Sequence, residues 1–234
     1  MAIKVSLKEL LEAGAHFGHQ SRRWNPKMEP YLYGVEKGVH LFDLTKTKKA
    51  LEKTLEVLKE ASGAGKVILF VGTKKQAKEK IREIAQATGC PYVNERWLGG
   101  TLTNFEQIQK SIKKLSEMKE KKEAGEYKHF TKKERLLLDR EIARLERFFG
   151  GMANLEGLPD FLVVIDVKRE AGAIKEAQMK GVATVAIVDS NSDPTGIDYV
   201  IPMNDDASKA IDYVLSLIQK AIQEGKTKSK KKSK

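Results

Sequence analysis

The stretch Val67–Gly89, VILFVGTKKQAKEKIREIAQATG, indicates one buried strand followed directly by one helix. Val67–Val71 is a continuous apolar run, too short for a helix and rich in β-branched residues, which is typical of a strand buried on both faces of a parallel sheet. Thr73 with Gln76 three residues later predicts a helix start in the form of a capping box. Gly89 stands where the C-cap of a helix favours glycine. Such a unit favours an α/β fold.

The same order of strand and helix recurs further along the chain. Phe161–Ile165 is followed by Asp166 and by a predicted helix over about 169–180, and the apolar run 182–188 ends at Asp189. Strands that alternate with helices at this spacing predict an α/β domain with a mostly parallel sheet flanked by helices. In open sheets of this kind, ligands bind beyond the carboxyl ends of the strands, so the residues after each strand are the first candidates for a site.

The N-terminal part of the chain predicts smaller elements. A capping box at Ser6 predicts a short helix, and residues 31–33 and 40–42 predict a β-hairpin. A longer helix is expected over about 45–61. The segment 15–28 is aromatic and basic and matches neither the helical nor the strand period, so we expect an irregular loop there.

Between the predicted strands at 67–71 and 161–165 the sequence predicts a helical hairpin. Thr103 with Glu106 and Thr131 with Glu134 form two capping boxes, and each precedes a narrow apolar seam with spacings of three and four residues. Two consecutive helices of this type predict an antiparallel coiled-coil hairpin. The predicted domains are an α/β domain over 1–102 and 150–225, the inserted hairpin over 103–149, and a basic disordered tail over 226–234.

The net charge of +11 predicts a polyanionic partner. Six lysines and no acid lie in the tail 226–234, so the rest of the chain is only mildly basic. A lysine tail of this kind is either a solubilising disordered end or an RNA-binding arm, and the sequence leaves both alternatives open.

The single cysteine, Cys90, excludes an intrachain disulfide and favours a reducing compartment. Charged residues interrupt the N-terminus, which argues against a signal peptide, and no apolar run approaches the ~20 residues of a membrane helix. We therefore expect a cytoplasmic protein with no membrane partner.

Signatures of catalysis are missing from the sequence: neither GxGxxG nor GxxxxGK[ST] follows a strand. The segment Gly72-Thr73-Lys74-Lys75 does offer backbone N–H groups and lysines at a predicted helix N-terminus, where a phosphate binds well. Lys74 and Lys75 are therefore candidates for contact with RNA phosphate. The alternative, which we favour, is that Thr73 only caps the helix.

Two loops combine arginine with tryptophan, and both are candidates for RNA binding. In the first loop the candidate residues are Arg22, Arg23, Trp24 and Lys27. Arginine bridges phosphates and stacks on bases, and tryptophan offers a flat face for stacking. The alternative for this tryptophan is packing into the core.

The second loop repeats the Arg-Trp pair beside a glycine turn, RWLGGTLTN, which allows close approach of the backbone. Its candidate residues are Arg96, Trp97, Thr101 and Asn104. Core packing is again the alternative for the tryptophan. Two such loops in one basic chain favour RNA binding by the arginines.

A metal site is a third candidate, formed by His19, Asp189 and Asp205. Asp189 ends a buried strand and Asp205 follows the next strand, so the two acids are expected at the same edge of the sheet. One imidazole and two carboxylates suit zinc or another divalent cation. The alternative is that each acid caps the turn or helix that follows it, and no cofactor is required.

Seven sequence blocks follow one another along the chain: GAHFGH at 14–19, WNPKM at 24–28, HLFDL at 40–44, RWLGGTLTN at 96–104, LPD at 158–160, SDP at 192–194 and IPMNDDA at 201–207. In this order they resemble the bacterial ribosomal protein S2 family, the second protein of the small ribosomal subunit. The resemblance spans about residues 5–220, and the lysine tail lies outside it.

The resemblance implies a flavodoxin-like α/β domain with a protruding helical hairpin. It implies a structural, non-catalytic role, binding to small-subunit rRNA, and contact with other proteins of the subunit, including the large mRNA-capturing one. A cation site near the strand-end aspartates is also implied. The alternative is a cytosolic enzyme that binds a nucleotide or sugar phosphate on the same fold, because fold alone does not decide function.

Overall fold

Eight strands and seven α-helices make up the described part of the chain. The structure is a computed structural model that describes residues 3–232, with side chains described for 3–228. The strands are β1 (Phe17–Gln20), β2 (Leu32–Glu36), β3 (Val39–Phe42), β4 (Ile68–Val71), β5 (Tyr92–Val93), β6 (Phe161–Ile165), β7 (Ala183–Val188) and β8 (Tyr199–Pro202). The helices are α1 (Leu7–Glu12), α2 (Leu44–Gly63), α3 (Lys78–Thr88), α4 (Phe105–Glu123), α5 (Lys132–Phe149), α6 (Ala171–Lys180) and α7 (Ser208–Lys232).

The five strands β4–β8 form one sheet in the order β5-β4-β6-β7-β8, and every neighbouring pair is parallel. This confirms the predicted parallel sheet, and the order is the flavodoxin-like one. The direction of winding reverses between β4 and β6. Ligands of open α/β sheets bind beyond the carboxyl ends of the strands at such a point, so this edge is where a site is expected.

Both faces of this sheet are covered, which explains why its strands are mostly apolar. Along β4, Ile68 and Phe70 join an apolar cluster with α2, α3 and α7, whereas Leu69 and Val71 join a second cluster on the other face. Successive side chains of a strand point to opposite faces, so a strand between two layers of helices has to be apolar at every position.

A second, antiparallel sheet has the order β1-β3-β2. The predicted hairpin is confirmed as β2 and β3, with Lys37 and Gly38 at positive φ as a type I′ turn requires. The segment 15–28 differs from the prediction, because Phe17–Gln20 forms the short strand β1 on the free edge of β3. Four residues with an irregular register carry no period that a sequence pattern reveals.

The helices α4 and α5 lie between β5 and β6 in the chain and pack on each other through buried residues such as Leu115 and Leu145. Their winding as a coiled coil and the division into domains stay predictions. At the start of α5 the predicted capping box is confirmed, since Thr131 and Glu134 exchange hydrogen bonds. Ion pairs join the outer surfaces of the two helices, including Lys114 with Glu141 at 3.2 Å.

The capping boxes predicted at Thr73 and Thr103 are wrong. α3 begins only at Lys78, because the hydroxyl of Thr73 donates to Glu170 at 2.6 Å. α4 begins at Phe105, and the hydroxyl of Thr103 donates to Glu176 at 3.1 Å.

The C-terminal helix α7 continues beyond residue 225, whereas the sequence predicted a disordered tail from residue 226. Neither glycine nor proline occurs after Gly225, and lysine is a good helix former. The ammonium group of Lys226 also donates to the carbonyl of Thr88 at 2.6 Å, which joins α7 to the end of α3. Residues 233–234 of the predicted tail lie outside the described residues.

Candidate nucleic-acid interface

The first Arg-Trp loop follows β1 and lies at the end of β7. Arg22 and Arg23 are exposed, whereas the half-buried ring of Trp24 lies 4.8 Å from the ring of His40 on β3. The backbone N–H that follows Trp24 donates to the carbonyl of Ser190 at 2.7 Å. The tryptophan therefore attaches the loop to the fold, and the two guanidinium groups point to solvent.

Lys27 in the same loop is exposed but has an acidic partner. Its ammonium group lies 2.8 Å from a carboxylate oxygen of Asp193 and 2.8 Å from the hydroxyl of Thr195. The hydrogen bond from Lys27, with those from Thr195, lowers the pKa of Asp193 to about 2. The lysine charge is therefore shared with this acid.

The second Arg-Trp loop follows β5 and is organised by a residue that sequence reasoning missed, Glu176 on α6. Arg96 is exposed, but the indole N–H of Trp97 donates to Glu176 at 3.0 Å, and the ring packs against the core. The same carboxylate accepts the backbone N–H groups of Gly100 and Leu102, each at 2.9 Å. Trp97 therefore packs into the core, which is the alternative that the sequence left open for it.

A signal for Glu176 was present in the sequence. It lies on the apolar face of α6, next to Ala173 and Ala177, which are both buried. A carboxylate at such a position is buried and requires donors from another element.

The other two predicted residues of this loop differ in exposure: Thr101 is buried and Asn104 is exposed. Thr101 is only 1% exposed, and its hydroxyl donates to the carbonyl of Leu98 at 2.6 Å. It is therefore removed from the predicted RNA surface, because its polar atoms face inward. Asn104 is exposed and stands at the N-cap of α4 with no capping bond from its side chain.

Lys74 is also removed from the predicted RNA surface, whereas the adjacent Lys75 is exposed. The buried ammonium group of Lys74 lies 2.5 Å from Asp205, 2.6 Å from Asp206 and 3.4 Å from Asp166. Burial opposes its charge, but these acids outweigh burial and raise the pKa of Lys74. The predicted anion site at this helix start is thus filled by the chain's own acids.

The structure brings together two of the three residues predicted as metal ligands, His19 and Asp189, with Asp206 in the place of Asp205. His19 lies with Nδ1 3.0 Å from Asp189 and with Nε2 3.5 Å from Asp206. One ligand atom from each of these three residues lies within 4.8 Å of the others. Asp205 is not one of the three: its carboxylate contacts Lys74, as a carboxylate oxygen of Asp206 also does. An imidazole with two carboxylates fits a cation such as zinc.

The surroundings shift the pKa of one member of this cluster, His19, and of the neighbouring Asp205. Burial, with the charges of Asp189 and Asp166, raises the pKa of Asp205 to about 7 against the attraction of Lys74. The hydrogen bond that His19 donates to the carboxylate of Asp189 raises the pKa of His19, although burial opposes it.

The exposed candidates for RNA binding therefore follow strands at the carboxyl edge of the parallel sheet. Arg22 and Arg23 lie near the end of β7, Lys75 follows β4, and Arg96 follows β5. Among the described residues, no helix has the length and apolar character that crossing a membrane demands.

A family model described as ribosomal protein S2 matches residues 10–225. The chain belongs to the ribosomal protein S2 family. A small ribosomal subunit protein uS2 from a Nitratiruptor species is 51% identical over 222 residues, which cover 95% of this chain and 83% of that protein. The uS2 protein of Flavobacterium johnsoniae is 50% identical over 225 residues, which cover 96% of this chain and 89% of that protein.

Membership of this family confirms the resemblance seen in the sequence blocks. The chain is a structural component of the small ribosomal subunit and not an enzyme. In bacteria this subunit is located in the cytoplasm, as predicted.

Proposed function

We propose that this S2 family protein binds small-subunit rRNA through the carboxyl edge of its parallel sheet. The observation that carries the proposal is the orientation of the two Arg-Trp loops. In both loops the tryptophan contacts the fold, and the guanidinium groups of Arg22, Arg23 and Arg96 are exposed. Guanidinium groups held on anchored loops fit phosphate oxygens and base faces.

A nucleotide- or sugar-phosphate-binding enzyme on the same fold is the weaker alternative. In a flavodoxin-like sheet such a ligand lies at the reversal point between β4 and β6. Lys74 and Asp166 follow these two strands and lie 3.4 Å apart. The hydroxyl and amide of Thr73 both donate to Glu170. The donors that a phosphate requires are therefore used within the chain.

We further propose that the protein helps to dock the large mRNA-binding protein of the same subunit, as the resemblance implies. An apolar groove of about 500 Å³ between α1 and the small sheet fits a protein partner. Leu7, Leu11 and Tyr33 line it and are 40%, 53% and 81% exposed. Apolar surface of this kind marks sites of protein association.

A cation site at His19, Asp189 and Asp206 is the third part of the proposal. The imidazole comes from β1, and the two carboxylates come from the end of β7 and from the segment after β8. A bound zinc ion would join the small sheet to the carboxyl edge of the large one.

The RNA proposal is tested by replacing Arg22 and Arg23 together with alanine. Binding to small subunits depleted of this protein is measured over a series of salt concentrations. We expect weaker binding, and a plot of log affinity against log salt whose slope falls by up to ~2, because each lost phosphate contact releases about one counterion fewer.

The matched control replaces Lys180 and Lys220 with alanine, because both are exposed and lie outside the proposed surface. This control removes the same charge and should leave the slope nearly unchanged. Equal slopes for wild type and the folded double arginine variant would show that neither arginine contacts phosphate.

A further inference from the structure

The loop that presents Arg96 has almost no regular structure of its own. Gly99 and Gly100 lie within it, and Gly100 has a positive φ of 92°. Such a segment samples many conformations unless other groups hold it, and a loop that must be ordered on binding loses affinity. What fixes this loop therefore influences how well it binds.

Glu176 on α6 fixes the loop through five hydrogen bonds to its two carboxylate oxygens. Oε1 accepts the indole N–H of Trp97 at 3.0 Å and the backbone N–H of Gly100 at 2.9 Å. Oε2 accepts the backbone N–H groups of Leu102 at 2.9 Å and Thr103 at 3.0 Å, and the hydroxyl of Thr103 at 3.1 Å. One side chain thus holds the loop at both ends of its glycine turn.

We propose that Glu176 is a positioning residue for rRNA binding, which holds the loop 96–104 in the shape that presents Arg96. The inference rests on the proposed function, because it requires that this loop contacts RNA. Glu176 itself is 9% exposed and faces inward, so it contacts no phosphate. Its contribution is the pre-organisation of the loop.

Both oxygens of the carboxylate are needed, which makes glutamine a sharp test. Every group that faces Glu176 in these five bonds is a donor. An amide of the same size would turn its NH2 group toward one of the two donor sets and leave those donors without an acceptor. Glu176→Gln therefore keeps the volume of the side chain and breaks half of the attachment.

The experiment compares Glu176→Gln, Arg96→Ala and the double variant in binding to small subunits depleted of this protein. We expect each single variant to weaken binding about tenfold, and the double variant to be little weaker than either one, because both act through the same contact. Asp198→Asn is the matched control: Asp198 accepts the amide and hydroxyl of Thr184, away from the loop. This control should bind as wild type does.

Spectroscopy separates positioning from a general loss of stability. The chain has two tryptophans, so two indole N–H resonances are expected, and Trp97→Phe assigns one of them. Glu176→Gln should shift the Trp97 resonance and leave that of Trp24 in place. If Glu176→Gln does not fold, Trp97→Phe serves as the second variant, because it keeps an aromatic face and removes one donor to Glu176; it should also weaken binding.

Three outcomes would contradict the positioning role of Glu176 or the RNA contact of its loop. Wild-type binding by a folded Glu176→Gln variant overturns the positioning role. Losses that multiply in the double variant also overturn it, since they show a structural effect independent of Arg96. Wild-type binding by Arg96→Ala, with weakened binding by Arg22→Ala and Arg23→Ala, refutes RNA contact by this loop while the proposed function stands.

Discussion

The carboxylate of Glu176 is ionised in a largely buried position because the loop solvates it. Burial raises its pKa, but the hydrogen bonds from Thr103, Trp97, Leu102 and Gly100 together outweigh burial and lower the pKa below its ordinary value of 4.5. A group whose pKa falls on folding stabilises the native state above its unfolded pKa, and this contribution is lost as the pH falls through the folded pKa.

A pH-dependent stability difference follows for Glu176→Gln. Near pH ~7 the variant should be less stable than wild type by about 1–3 kcal/mol, because buried donors lose their acceptor. The difference should shrink below about pH 4.5, where the unfolded wild-type chain begins to bind the proton. Denaturant unfolding of both proteins at several pH values measures it. A difference that stays constant or grows on acidification would contradict this account of the carboxylate.

At the residue scale the sequence predicted which loops carry arginine, but not which way each side chain points. Lys74 and Lys75 are adjacent and of one type, yet the first is buried among aspartates and the second is exposed. Asp205 and Asp206 are also adjacent, and again the first is buried and the second is exposed. The sequence could not show which of them lies beside His19 and Asp189. These directions depend on partners such as Asp205, which lies 131 residues from Lys74 in the chain.

At the element scale, local signals failed where a buried carboxylate competes for the same donors. The capping box at Thr131 forms in an exposed segment, where the carboxylate that accepts from the Thr131 hydroxyl is that of Glu134 itself. Thr73 and Thr103 instead donate to Glu170 and Glu176, which are both buried, and their helices begin later than predicted. A capping box depends on contacts three residues apart, so the sequence pattern does not register acceptors brought in by tertiary structure.

Replacing the helical hairpin, Asn104–Phe149, by a short glycine linker should leave a folded α/β core that enters small subunits poorly. The reason is that α4 and α5 bury Leu115 and Leu145 against each other, whereas the sheet has helices of its own on both faces. Thermal unfolding and co-sedimentation with small subunits measure the two effects.

A control for this deletion is Lys114→Ala, which removes an exposed ion pair with Glu141 and should change stability by less than about 1 kcal/mol. The outcome that would contradict this prediction is a deletion variant that melts without cooperativity. Buried residues of the hairpin and of β4 share one apolar cluster, and such melting would show that the hairpin packs broadly onto the sheet.

At the scale of the whole molecule, the alternation of strands and helices predicted the parallel sheet, because the buried strands are continuous, mostly apolar runs. The attachment of the small sheet was not predictable in this way. β1 follows no period, and its place is set by contacts such as the bond from the amide of His19 to the hydroxyl of Ser190, at 2.7 Å and 171 residues apart.

The candidate cation site spans the same junction, so zinc should stabilise the molecule as a whole. His19 belongs to the small sheet, whereas Asp189 and Asp206 follow strands of the large one. A ligand that binds only the folded state stabilises it by mass action, by about 2.7 kcal/mol at a hundredfold excess over Kd. For a chain of this size we expect zinc to raise Tm by roughly 5–10 °C.

The variants identify the ligands. Asp189→Asn and Asp206→Asn should abolish the rise in Tm, because an amide oxygen is a poorer zinc ligand than a carboxylate. Asp205→Asn is the matched control: Asp205 contacts Lys74 as Asp206 does but lies outside the cluster of three, so this variant should keep the rise. Magnesium, which prefers six oxygen ligands, should have a smaller effect. If zinc shifts Tm equally in wild type and in Asp206→Asn, or shifts neither, the histidine and both acids serve only the packing of the two sheets.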